Sequence, residues 1–214
     1  TDWLITQHPD IVVHANNFLD GPFDGTSEPA KAVDRAAAAG VMWFNSAGNY
    51  GLKAWHGAWR DTDSDASLDW PADWTITRTG DQAITFHLSW TNAADRPATD
   101  LDLIVEKLGG DGTWTSVVEA VERQADGAPT VERISGARPG AGTYRLRVRH
   151  VAGPRPTGEM SLYSREDNLP PALLPEGYSR QSVPTPADAA GAIAVGAVDW
   201  VSLNLMPYSS RGPT

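Results

Sequence analysis

A side-chain amide and a run of carboxylates are the groups in this sequence best placed to do chemistry. Asn49 sits in Ser46-Ala47-Gly48-Asn49, a turn that ends the apolar run Val41-Met42-Trp43-Phe44. A carboxamide held on such a turn can donate to a carbonyl oxygen that gains negative charge, which is what acyl transfer demands. Asn and Gly also form plain turns with no chemistry, because both tolerate left-handed backbone. Asp61, Asp63 and Asp65 alternate in Asp61-Thr62-Asp63-Ser64-Asp65, and Asp69 follows. Hard cations such as Ca2+ collect several oxygens from a short turn, so these three aspartates are candidate metal ligands. A helix-loop-helix calcium site would need Gly at 66 and Glu at 72, where this chain has Ala66 and Ala72. The other reading of the loop is a solvated acidic linker.

Composition narrows the choices. The 214 residues contain no cysteine, which excludes disulfides, thiolate metal sites and cysteine nucleophiles. A net charge of −10 argues against a nucleic-acid partner, which would need a basic patch. No apolar run approaches the ~18 residues of a membrane span, so no membrane partner is expected. The opening Thr1-Asp2-Trp3-Leu4-Ile5 reads as the middle of a fold and not as a signal peptide.

Asn49 needs a strand to carry it. Residues 11–15, 41–44 and 193–198 are apolar runs, broken only by His14, the pattern of parallel strands covered on both faces. Between the first two lies an Ala-rich helix, with Ser27 as its cap, Pro29 in its first turn and Gly40 just past its end. This βαβ unit should cross over right-handed. Asn49 then falls at the carboxyl end of a parallel strand, where open α/β sheets bind ligands.

Further along the period changes to two. Ile84, Phe86, Leu88 and Trp90 alternate with polar residues, as do Tyr144, Leu146 and Val148, and Leu101, Leu103 and Val105 alternate with Asp102 and Ile104. Turn-rich separators at 92–95, 109–112, 126–129 and 139–142 divide them, and about seven strands forming an antiparallel sandwich are predicted. A Pro-rich connector (Pro170, Pro171, Pro175) leads back to the apolar pattern. The expected fold class is α/β, a partial parallel sheet interrupted by an inserted all-β antiparallel sandwich. The expected domains are 1–60, 70–166 and 178–214, the first and last being parts of one α/β domain.

Three stretches carry a family resemblance: Gly40 to Gly51 (GVMWFNSAGNYG), Gly191 to Trp200 (GAIAVGAVDW) and Tyr208 to Thr214 (YSSRGPT). Together they resemble the subtilisin-like serine peptidases over residues 1–60 and 178–214. The resemblance implies that Asn49 completes an oxyanion hole and that Ser46, Ala47 and Gly48 form one wall of the substrate side-chain pocket. It also puts Asn17, in Asn16-Asn17-Phe18-Leu19, where the family pairs with a polypeptide substrate, although the family's Ser-Leu-Gly is not present. The central region is similar to the pre-peptidase-C-terminal β-domains of secreted bacterial peptidases, on Thr99 to Leu103, Glu132-Arg133-Ile134 and Gly142 to Val148.

The family's Asp, His and Ser motifs do not occur in their places. Gly25-Thr26-Ser27 precedes the oxyanion strand and reads as a helix cap, and His56-Gly57 is followed by Ala58. The segment alone is therefore expected to be inert, with the remainder of its own catalytic domain as its partner and no required cofactor, calcium at the acidic loop being a candidate only. The alternative is a β-sandwich that binds substrate, glycan or calcium on a non-catalytic scaffold. Within the sandwich, Trp90 and Trp114 are expected in the core, and Asp100 and Asp102 facing outward. Arg145, Arg147 and Arg149 should share one face, toward solvent or an acidic neighbouring strand.

Overall fold

The computed structural model describes residues 1–91, 98–125, 129–174 and 176–212. The separators expected at 92–95 and 126–128, together with Pro175, Pro213 and Thr214, lie outside the described residues. Two helices are α1 (Asp2–Thr6) and α2 (Glu28–Ala38). The strands begin with β1 (Ile11–His14), β2 (Met42–Ser46), β3 (Ala54–Ala58), β4 (Ile76–Arg78), β5 (Ile84–Trp90) and β6 (Asp100–Leu108). They continue with β7 (Trp114–Ala120), β8 (Val131–Ala137), β9 (Gly142–Ala152), β10 (Glu159–Ser164) and β11 (Ala192–Val195). The fold is rich in β-structure, mostly antiparallel, with few helices. Among the described residues no helix is long and apolar enough to cross a membrane. The chain forms two compact units, Thr1–Ala54 with Glu176–Thr214, and Trp55–Pro175.

The first unit holds a three-stranded sheet in the order β1-β2-β11, parallel throughout, with Ile11 opposite Met42 and Ile193 opposite Phe44. Helix α2 starts where Ser27 Oγ accepts the Ala30 amide at 3.2 Å, and Pro29 occupies a first-turn position that needs no amide donor. It ends at Ala39, and Gly40 takes up a left-handed φ of +91°. Ala30, Val33 and Ala36 on one stripe of the helix bury against Val41, Trp43 and Ala189, with Val12, Ala192 and the α1 residues Leu4 and Ile5 around them. Burial of a Val or Leu side chain contributes roughly 1.5–3 kcal/mol, so this one layer holds helix to sheet.

The other face of the same sheet is not covered. Ile11, Val13, Met42, Ile193 and Val195 alternate with the packed residues, and all are exposed, Val13 to 81 %. The apolar runs thus mark two apolar faces, as expected for parallel strands, but only one is covered within this unit.

The second unit contains two four-stranded sheets, β3-β10-β5-β8 and β4-β9-β6-β7. The pairings β10–β5, β5–β8, β4–β9, β6–β9 and β6–β7 are antiparallel. Alternate residues Ile84, Phe86, Leu88 and Trp90, then Leu101, Leu103 and Val105, then Tyr144, Leu146 and Val148 are buried. Asp100 and Asp102, expected outward, are also buried. For Asp102 the reason is the register: Asp102 lies opposite Arg149 and Glu106 opposite Arg145, and the arginines cover these carboxylates. Asp100 instead lies opposite Ala152 and accepts the Gln124 N–H at 3.1 Å. Arg149 donates to Asp102 from Nε (3.1 Å) and Nη2 (2.6 Å), and Arg145 Nε donates to Glu106 at 2.6 Å. The arginine stripe therefore meets an acidic neighbouring strand, the second of its two expected settings.

Candidate functional site

The turn carrying Asn49 leaves the carboxyl end of β2, the middle strand of the parallel sheet. Ser46 is half-buried, Ala47 and Gly48 are buried, and Asn49 is exposed. Among the described residues the Asn49 amide takes no hydrogen-bond partner, so its donor group remains open to a ligand. The backbone around it is tied down. Ala47 N–H donates to Val195 O (2.9 Å), and Gly48 N–H donates to Ser46 Oγ (3.2 Å). Ser210 clamps the turn from both sides, donating its N–H to Gly48 O (2.9 Å) and accepting the Tyr50 N–H at Oγ (3.0 Å). Ser209 Oγ accepts the Ala197 N–H at 3.0 Å, which fixes the chain just beyond β11.

Gly48 is required here by both conformation and space. Its φ is +87°, and an added Cβ would lie 3.0 Å from the Tyr50 ring and 3.1 Å from both Pro184 Cδ and Ser210 Oγ. Gly48→Ala is expected to destabilise the chain by about 1–2 kcal/mol, the cost of left-handed backbone for an alanine. Denaturant unfolding of the variant checks this, and an unchanged midpoint would contradict it.

Beneath the turn lies a buried polar knot that sequence spacing does not indicate. Asn45 is 1 % exposed. Its Oδ1 accepts from His14 Nδ1 (2.7 Å) and Trp43 Nε1 (3.3 Å), and its Nδ2 donates to Ser46 O at 2.9 Å. The Asn17 amide lies 3.0 Å from Asn45 Nδ2 and 3.2 Å from Ser46 O. Asn17 is thus brought to the base of the Ser46–Asn49 turn, and the next residue, Phe18, donates its N–H to Thr185 O at 2.8 Å. A buried knot of this kind ties the ends of β1 and β2 together through His14 and Asn45. The only sequence sign of it is a polar Asn interrupting an apolar strand.

No described residues assemble a Ser-His-Asp array. Ser27 Oγ caps α2 and lies 2.5 Å from Thr185 Oγ1. In the second unit Ser161 Oγ lies 2.9 Å from His56 Nδ1, with the Tyr163 ring edge-on to the imidazole.

The acidic loop also belongs to the second unit. Carboxylate oxygens of Asp61, Asp63 and Asp65 lie within 4.8 Å of one another, so these three residues could hold a hard cation. Asp61 already has an internal counter-charge: its side chain is 3 % exposed and Arg155 Nη1 is 2.5 Å away. Asp63 and Asp65 are exposed and serve the loop itself, accepting the Asp65 and Ser67 amides at 3.2 and 2.7 Å. Asp69 accepts both the amide and hydroxyl of Thr62 at 2.6 Å, and these bonds hold its carboxyl below the usual range. Trp90 is buried as expected, whereas Trp114 is only half-buried, with the Arg145 guanidinium 4.6 Å from its ring centre.

No family model matches the chain, and no curated protein matches it. Among solved structures, a Sulfurospirillum deleyianum protein superposes on 53% of this chain and 98% of its own, at 5% identity and a TM-score of 0.31. The Yersinia pseudotuberculosis-derived mitogen superposes on 56% of this chain and 81% of its own, at 14% identity and a TM-score of 0.28. Similarity at that level carries no argument about fold or function.

Proposed function

We propose that this chain is the central segment of a secreted subtilisin-like serine endopeptidase, in which Asn49 donates its amide to the tetrahedral oxyanion of a polypeptide substrate. The observation that carries the reading is an exposed carboxamide, without an internal partner, on a pinned turn at the carboxyl end of the middle strand of a parallel sheet. Such a donor acts without reorganising when charge develops, which is why a rigid turn suits it. The finer fold reading, a partial subtilisin-like α/β domain interrupted by a β-sandwich, belongs to the same proposal.

Two further observations support it. Ser209 and Ser210, from the Tyr208-Ser209-Ser210-Arg211-Gly212 stretch that carries part of the resemblance, are the residues that pin the turn and the end of β11. The bare apolar face of the parallel sheet asks for a covering layer, because parallel sheets are packed on both sides, and the rest of a catalytic domain would supply one. The nucleophile and base then come from outside these residues, and calcium at Asp61, Asp63 and Asp65 is an accessory and not a reactant.

Casein hydrolysis tests the reading. A longer polypeptide that carries this segment should cleave casein and lose that activity to phenylmethylsulfonyl fluoride, while the 214-residue chain alone does not cleave it. A folded longer polypeptide with no hydrolytic activity, or activity insensitive to the inhibitor, would overturn the proposal.

A further inference from the structure

The second unit contains a cleft of about 820 Å³ that shares Asp63 and Asp65 with the acidic loop and plays no part in the acyl-transfer chemistry proposed above. Its size falls within the ~300–1,000 Å³ of ordinary small-ligand sites. It is lined by the loop from Arg60 to Thr75, by Trp114 at the start of β7 and by Arg145, Leu146 and Arg147 of β9. We propose that this cleft binds a short neutral oligosaccharide. The inference does not depend on the serine-peptidase reading.

Three features favour that ligand class. The first is aromatic. Trp70, Trp74 and Trp114 all line the cleft, Trp74 buried at 6 % exposure behind half-buried Trp70, and half-buried Trp114 carrying the Arg145 guanidinium 4.6 Å from its ring centre. Trp70 is locked in place by donating Nε1 to Leu146 O at 3.0 Å and by edge-to-face contacts with Trp55 (5.0 Å) and Trp74 (5.6 Å). Fixed indole surfaces bind the C–H face of a sugar ring at little entropic cost, since nothing need be ordered on binding.

The second is a pair of pre-set forks. Arg145 and Arg147 commit Nε internally, to Glu106 Oε2 (2.6 Å) and Ser67 Oγ (2.8 Å). Their side chains remain 41 % and 36 % exposed. Among the described residues the Arg147 terminal nitrogens pair with carboxylates at long range, Asp65 at 3.7 Å and Glu106 at 3.9 Å. A guanidinium oriented through Nε offers its terminal N–H groups in the fixed geometry that suits adjacent ligand oxygens.

The third is charge balance. Arg60, Arg145 and Arg147 line the cleft together with Asp63, Asp65, Asp69 and Asp73. Four carboxylates oppose a phosphate or a nucleotide, and three guanidiniums oppose an amine. Interleaved donors and acceptors suit a neutral ligand rich in hydroxyl groups.

A polypeptide is the main rival, and the occupied edges of β9 leave it, among the described lining residues, only the outer edge of β7, which carries Trp114 at its start. Peptides commonly add to an open sheet edge. One edge of β9 is taken by β6. The other pairs with β4 over Gly142–Tyr144, and beyond that bonds to Trp70 Nε1, to the Leu68 amide at Val148 O (2.9 Å) and to Ala66 O from the His150 amide (2.8 Å). No edge at Arg145–Arg147 is left to receive an added strand.

The test is calorimetric titration of the full chain with cellotetraose, chitotetraose and mannotetraose, with gelatin as the polypeptide probe. Binding of at least one sugar is expected, weakened at least about tenfold by Trp114→Ala and by Arg147→Ala. Trp114→Phe, which keeps an aromatic face, should retain most of it and serves where Trp114→Ala fails to fold. Binding of none of the three sugars, sugar binding unchanged in Trp114→Ala and Arg147→Ala alike, or binding of gelatin alone would overturn the proposal.

Discussion

Replacing Asn49 with alanine in the proposed longer peptidase is expected to lower kcat by about 10²–10³-fold and leave KM within about twofold, a loss of about 3–4 kcal/mol from the transition state. That magnitude is the one known for subtilisin's own oxyanion asparagine, and it is borrowed from that enzyme along with the proposal. The physical reason is that one fixed donor meets charge that exists only in the transition state. The side chain is exposed and makes no internal hydrogen bond, so its removal should change stability by no more than about 0.5 kcal/mol. A large kcat loss without a stability loss therefore separates a catalytic amide from a turn former. Steady-state kinetics together with denaturant unfolding reads both quantities, and an unchanged kcat would reduce Asn49 to its turn role.

Substituting Glu132 by glutamine is expected to stabilise the second unit at alkaline pH by up to about 3 kcal/mol and to have no effect near pH 4. Glu132 is 2 % exposed, and burial pushes its carboxyl up to about 7 despite the hydrogen bond it accepts from Gln124 Nε2 at 2.7 Å. The negative charges of Glu122 and Asp102 push in the same direction. A carboxyl raised in the fold holds its proton more tightly there than in the unfolded chain, where it titrates near 4.5. Its contribution is thus fully present below about pH 4.5 and is lost as pH rises through about 7. The Gln124 N–H and Asp100 are tied into the same buried cluster at 3.1 Å, so ionised Glu132 loads a structural joint and not a free surface. Denaturant midpoints of wild type and Glu132→Gln at pH 4 and pH 8 decide the matter. Equal midpoints at pH 8 would show that Glu132 ionises there without penalty.

The elements that position Asn49 are largely legible in the sequence because their signals are local. Ser27, Pro29 and Gly40 mark the ends of α2, and the continuous apolar runs mark β1 and β2. The strand expected over 193–198 is shorter. It ends at Val195, since Ser209 Oγ takes the Ala197 amide and Val198 bridges to Leu205 instead. Three strands carry no clear local mark. In β3, His56 and Gly57 break the alternation, β4 has three residues, and in β10 buried Tyr163 and Ser164 follow Leu162 directly, which hides the period. The burial of Asp102 and Glu106 is not legible either, because it depends on which arginine the register sets opposite each carboxylate. The same holds for the support of the turn. Nothing in local spacing joins Ser210 to Gly48 or Asn17 to Asn45, since tertiary structure alone makes those neighbours. Trp114 is expected in the core, because a tryptophan in a strand is usually packed, yet it stands at a cleft beside Arg145.

Fluorophosphonate labelling of the longer polypeptide tests the central claim most directly, because the reagent reacts only with a serine that its own site has activated. The account predicts a single labelled serine, placed by peptide mass spectrometry outside the 214 residues, with labelling abolished by prior unfolding and slowed by Asn49→Ala. A well-folded longer polypeptide that takes up no label, or that labels at full rate without Asn49, would contradict it.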